Sequence, residues 1–128
     1  MDNKISEHLG DLKLIDFMYA NEERNEARLV LVTVGYIDDS KEMQNALFDK
    51  MEGYLSHIQS EEFKRDYPQP NVVIEVDFDE TPSQITFANL YACYGWCESC
   101  GAKLCVYVEE KPLTITKDEI GNYHVHFD

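Results

Sequence analysis

From Val72 to Asp79 the chain alternates without a break: Val72, Ile74, Val76 and Phe78 are separated by Val73, Glu75, Asp77 and Asp79. Period two is the signature of a β-strand, and the split between apolar and acidic positions requires one dry face and one wet one. The sheet that holds this strand must therefore keep a face open to water.

The flanking segments supply its neighbours. Residues 12–19 (LKLIDFMY) and 27–37 (ARLVLVTVGYI) are apolar and rich in β-branched residues, and the polar NEERNE between them has to turn, which predicts a hairpin. Asp38, Asp39 and Ser40 offer N-cap oxygens. Met43, Leu47, Met51, Tyr54, Leu55 and Ile58 then recur at helical spacing, predicting a helix to about Glu62 that ends before the prolines of YPQPN. After the alternating strand, Thr81-Pro82 forms a cap and first-turn pair with Gln84 at the capping-box position. Gly101 suits the far end, so a second helix is expected over 82–100. Residues 103–109 (KLCVYVE) alternate again, and LTIT and NYHVHF flank KDEIG as a closing hairpin.

The order is ββαβαβββ. Short connections through both helices argue for right-handed crossovers that place both on one face of a mixed sheet. The expected fold is an α/β (α+β) two-layer sandwich of about six strands in a single domain over 1–128. The length supports one core.

The open face should display Glu75, Asp77 and Asp79; Cys105, Tyr107 and Glu109; Thr114 and Thr116; and His124 and His126. Here composition matters. The chain carries 25 acidic and 11 basic residues, a formal net charge of −14, yet is 44% hydrophobic, so the charge belongs to a packed body and not to a disordered tail. Residues 71–128 hold 10 acids against 3 bases. Such a surface repels nucleic acid and anionic lipid and speeds encounter with a basic partner. Glu75, Asp77 and Asp79 stand about 7 Å apart along one strand, with Glu80 beyond them and Glu109 and Glu110 expected nearby. These six are the candidate partner-binding residues.

Other constellations were weighed against plainer readings. Cys93, Cys97, Cys100 and Cys105 follow C-x3-C-x2-C-x4-C, the alternative being a zinc site. Three of them share one helical face, which is uncommon for structural zinc, and free cysteine is among the most buried residue types, so core packing is the expectation. His124 and His126 could hold a metal with a third ligand, but read as exposed strand residues. No glycine-rich phosphate loop, nucleophile elbow or HExxH is present, no cleft with an acid/base pair is evident, and no catalytic role is assigned. Tyr91, Tyr94 and Trp96 read as core and rim. The first ten residues lack the basic start and apolar stretch of a signal peptide, and no apolar run approaches membrane-spanning length, so a cytoplasmic protein is expected.

The stretch from Val30 to Val76 resembles an uncharacterised family of small bacterial α/β domains. The resemblance is carried by the strand ending in Gly35-Tyr36-Ile37-Asp38, the helix pattern GYLSHIQSEEF, Asp66-Tyr67-Pro68 and NVVIEV. It covers the middle of the chain and extends faintly through the second helix and LCVYV. Its motifs are structural, and the cysteines belong to no pattern of that family. Small acidic cytoplasmic α/β proteins of this kind look like immunity proteins that neutralise bacterial toxins, which implies a toxin domain, most plausibly a nuclease, as the basic partner. The competing classes are a zinc-binding protein and a homo-oligomeric structural protein, a homodimer in the simplest case.

Overall fold

The computed structural model describes residues 4–128; Met1 to Asn3, part of the segment read as lacking a leader, lie outside the described residues. The elements are α1 (Lys4–Leu9), β1 (Phe17–Asn21), a 3-10 turn (Glu22–Arg24), β2 (Glu26–Val32), α2 (Lys41–Ile58), α3 (Glu61–Asp66), β3 (Asn71–Phe78), α4 (Gln84–Ser99), β4 (Lys103–Val108), β5 (Lys111–Lys117) and β6 (Tyr123–Phe127). All six strands form one mixed sheet in sequence order. The centre, β2-β3-β4, is parallel, and the flanking pairs β1-β2, β4-β5 and β5-β6 are antiparallel. The α/β sheet with its helices between parallel strands is the expected fold.

Alternation sorts the side chains. Leu29 and Leu31 of β2, Ile74 and Val76 of β3, and Leu104 and Val106 of β4 point to the helices and join Met51, Tyr54 and Leu55 of α2 and Phe87, Leu90, Cys93 and Cys97 of α4 in one core. Two short helices are additional to the expected pair. Met43 donates its N–H to the Ser40 hydroxyl, the expected N-cap of α2, but the helix stops at Ile58 rather than running to Glu62. Ser60 explains the stop: its hydroxyl accepts the Phe63 N–H and caps α3, and the Ser60 hydroxyl also donates to the His57 carbonyl. α4 begins two residues later than expected and takes Ser83, not Thr81, as its N-cap residue. Gly101 follows at φ +86°, the left-handed position expected for a helix terminator.

The first hairpin is shorter than its apolar pattern. β1 starts at Phe17 because Asp16 spends its side chain elsewhere: one carboxylate oxygen accepts the Val32 N–H at 2.8 Å and the other meets the Lys50 ammonium at 2.8 Å. Lys50, on α2, is fully buried and donates also to the Leu9 carbonyl. Alongside it, Tyr54 accepts the Asp16 N–H at 2.8 Å and donates to the Val30 carbonyl at 2.8 Å. β2 ends at Val32, where Thr33 turns to the Asp77 carbonyl through both its N–H and its hydroxyl.

A second polar cluster fixes the starts of the long helices. Gln44 donates to the Asp38 carbonyl and the Thr86 hydroxyl, Thr86 pairs with Ser83, and Asn89 donates to Gln44. Every member has a partner, so the cluster locks α2 to α4 without leaving an unpaired group.

Removing one partner of a buried charge leaves the other uncompensated. Asp16→Ala, which strands the fully buried Lys50 ammonium, is therefore expected to destabilise the fold by about 3–5 kcal/mol, measured by urea unfolding, with an exposed control such as Glu52→Gln changing it by less than about 0.5 kcal/mol.

Candidate functional site

Among the described residues no helix covers the second face of the central strands, and there the sheet carries an open groove of about 1150 Å³. Its floor is charged. Arg28 projects from the middle of β2, only 8% exposed, and its guanidinium holds Glu26 at 2.9 Å, the Glu75 carboxylate, and the Tyr107 hydroxyl at 3.4 Å. Burial works against this charge, and the bonds to Glu75, Tyr107 and Glu26 overcome it, so the guanidinium pKa rises.

Register explains the meeting. Arg28 lies opposite Val73 and Val30 opposite Glu75, so Glu75 is the diagonal neighbour of Arg28 on the same face. Glu75 is consequently a spent charge, its side chain 15% exposed.

Asp77, two residues on, is half-buried and has no such partner. Burial, a hydrogen bond to Glu75, the charge of Glu75 and, after an opposing pull from Arg28, the charge of Glu110 push its carboxyl up to about 7. The groove brings the Asp77 and Glu75 carboxyls into hydrogen-bond contact, where the sequence had suggested no cleft holding two such groups together. Chemically, Asp77 can hold or release a proton near neutrality.

Beyond the strand ends the acids stand free in water. Asp79 accepts the Gly35 N–H at 3.0 Å, which ties the β3 end to the loop after β2, where Gly35 sits at φ +71°. Asp79 and Glu80 are exposed. Glu109 was expected within a strand; instead Glu109 and Glu110 form the two-residue turn between β4 and β5, with φ of 49° and 69°. Positive φ at both centres is the turn geometry whose twist matches a hairpin, normally supplied by Asn-Gly. Asp77, Asp79, Glu109 and Glu110 all line the groove, as do Val34, next to the Gly35 that Asp79 holds, and Tyr19, which lies on β1 opposite Arg28.

Of the six residues read from the sequence, the structure thus places Asp77, Asp79, Glu109 and Glu110 at one end of the groove, Glu80 exposed beside Asp79, and Glu75 on the floor in an ion pair. Arg28, Glu26 and Tyr19 were missed, while Tyr107 was read onto the open face without being given a role there. The signal for Arg28 was present: a single cation inside the apolar run ARLVLV.

The alternative sites are not assembled. Cys93 and Cys97 are buried in α4, where burial pushes their thiols up to about 11 and about 12 and so away from the thiolate a metal needs. Cys105 is on the open face, with the sheet between it and the other three, so the four do not form one zinc site. His124 pairs with Asp118 at 2.8 Å and His126 with Thr116 at 2.9 Å. Among the described residues, no group of three or more His, Cys, Asp or Glu side chains is placed to hold a metal ion. Tyr94 accepts the Ile115 N–H, Trp96 packs against Phe48, and Tyr91 meets Tyr123 at the rim.

These features define a mixed α/β two-layer domain with an acidic groove on its uncovered face. Compared with known proteins, the chain matches no family model, no curated protein and no solved structure. The resemblance over 30–76 rests on its sequence motifs alone. Among the described residues no helix is long and apolar enough to cross a membrane.

The folded chain holds the Asp77 proton more tightly than an unfolded aspartate does, so this group favours folding below the ordinary carboxyl range and loses that contribution as pH rises through about 7. Asp77→Asn should match the parent in thermal unfolding at acid pH. At about pH 8 the variant should be more stable by about 1 kcal/mol, after allowance for solvent screening of a half-buried group.

Proposed function

We propose that this chain is a cytoplasmic protein-binding domain, without catalytic activity, that neutralises a basic partner. In its sharpest form it is an immunity protein or inhibitor whose carboxylates cover the basic substrate groove of a toxin such as a nuclease. The observation that carries this reading is the convergence of Asp77, Asp79, Glu109 and Glu110, from two separate strand ends, at one end of an open groove. The groove's central cation is already held by Glu26 and Glu75, leaving the outer acids to face a partner.

The proton that Asp77 can hold near neutrality fits this role. Like charges this close repel, and holding a proton on Asp77 relieves that repulsion while the face is empty. An approaching lysine or arginine replaces the proton as the compensating charge. Surfaces of this sign steer basic proteins, lifting association well above the ~10⁵–10⁶ M⁻¹s⁻¹ of uncharged encounters. The same sign disfavours phosphate backbones and anionic lipid.

The product of the gene immediately upstream is the partner to test first. Co-expression should relieve any toxicity of that product. The association rate of the purified pair should fall at least tenfold between low and high salt, and Glu109→Lys with Glu110→Lys should lower it further while changing dissociation less. An association rate indifferent to salt would rule out steering by this surface.

A further inference from the structure

An open sheet ends in two strands with unpaired backbone groups, and natural edges are shielded by charge, by proline or by a covering element. β6 ends this sheet without charge or proline: residues 123–127 (YHVHF) contain no Asp, Glu, Lys, Arg or Pro, in a chain of formal net charge −14. The strand also carries uncovered apolar surface. Tyr123, Val125 and Phe127 stand on the helix side, across from Lys117, Ile115 and Leu113 of β5. α4 meets them through Tyr91, edge-on to the Tyr123 ring at 5.5 Å, and leaves Tyr123 37% and Phe127 53% exposed.

The ladder fixes where the backbone groups point. Asp128 donates its N–H to the Pro112 carbonyl, so residues 124, 126 and 128 bond to β5, and the N–H and C=O groups of Tyr123, Val125 and Phe127 point away from the sheet. An antiparallel second copy of β6, related by a two-fold axis at Val125, satisfies all of them. Tyr123 then pairs with Phe127 of the second copy, Val125 with Val125, and Phe127 with Tyr123. The same axis covers each exposed Phe127 with a Tyr123 ring on the helix side. On the open face it sets His124 against the second copy's His126, in the close non-hydrogen-bonded pairs of an antiparallel ladder.

Charge selects this occupant and this edge. Two copies of so acidic a chain can meet only where neither presents uncompensated charge. At the β6 seam, Asp128 comes beside Asn122, and Asp118 in the preceding turn is already held by His124 at 2.8 Å and by the N–H groups of Ile120, Gly121 and Asn122. β1 fails the condition, because it runs directly into Glu22 and Glu23, and self-pairing centred on Tyr19 would set Glu22 against Asp16. Pairing β6 with β1 is head to tail and does not close, whereas β6 on β6 closes as a dimer.

We infer that two copies of this chain join through β6 into one continuous sheet. The groove, lined from β1 to β4 and their loops, stays outside the seam, so each copy keeps its site for a basic partner and neither reading depends on the other.

Sedimentation equilibrium of the full chain should give twice the mass of one chain, and substitutions at positions 124 and 126, both exposed, read the register directly. His124→Lys with His126→Lys sets like charges opposite each other twice across the seam and should weaken the dimer at least about tenfold. His124→Lys with His126→Glu sets each lysine opposite a glutamate and should return the dimer to within about threefold of the parent. Amide dispersion outside β6 that matches the parent shows that both variants are folded. Phe17→Lys, at the β1 edge, should leave the dimer intact. A chain that stays monomeric up to about 1 mM would overturn the inference. So would equal weakening by the two charge variants, a dimer indifferent to both, or one dissolved by Phe17→Lys. Growth beyond the dimer with concentration would show head-to-tail pairing and overturn it as well.

Discussion

The ammonium of Lys50 has no contact with water and two protein acceptors, the Leu9 carbonyl and the Asp16 carboxylate. An unpaired charge in that position would be prohibitive, so the segment that runs from α1 to β1 has to come to it. One acceptor belongs to the end of α1 and the other to the residue that immediately precedes β1. Through Asp16 the same link reaches the Val32 N–H at the end of β2, and through Tyr54 it reaches Val30. The consequence is felt on the far side of the sheet: β1 begins at Phe17 and no earlier, which sets which of its residues face outward. Tyr19, which reaches the groove from β1, is thus positioned by an ion pair in the opposite layer.

The charge of the chain changes meaning when the fold is known. A formal −14 describes the sum, whereas function depends on which carboxylates are left to solvent. Glu26 and Glu75 share the single charge of Arg28, Asp16 is paired with Lys50, and Asp77 holds a proton up to about neutrality. The charges that reach solvent at the groove are those at the strand ends, where no β-ladder neighbour competes for them. A face that looked uniformly acidic along β3 is instead graded, compensated at its centre and anionic at its rim.

How much of this was legible in the sequence follows from the range of each interaction. The alternation over 72–79 and the capping of α2 by Ser40 depend on residues within a few positions, and they read correctly. α3 did not, because Ser60 lies inside a pattern that continues to look helical, and only its hydroxyl bond to the Phe63 N–H reveals the break. The turn at Glu109 and Glu110 was hidden for a different reason: its residues are not those its geometry favours. Glu75 was misjudged as a free surface charge because its partner is 47 residues away and meets it only through the parallel register of β2 and β3. The groove itself depends on the order of the strands and on a face that the described helices leave uncovered, neither of which leaves a local pattern.

That same turn places stability and recognition in opposition. Glutamate in a left-handed conformation costs about 1 kcal/mol at each of the two positions relative to residues suited to it. A chain selected for robustness alone would drift toward Asn-Gly there, become more stable, and lose two carboxylates from the rim at one stroke. Persistence of the glutamates among related chains would thus be a mark of selection on binding, and an Asn-Gly turn at this point would mark a relative that has given up, or exchanged, its partner.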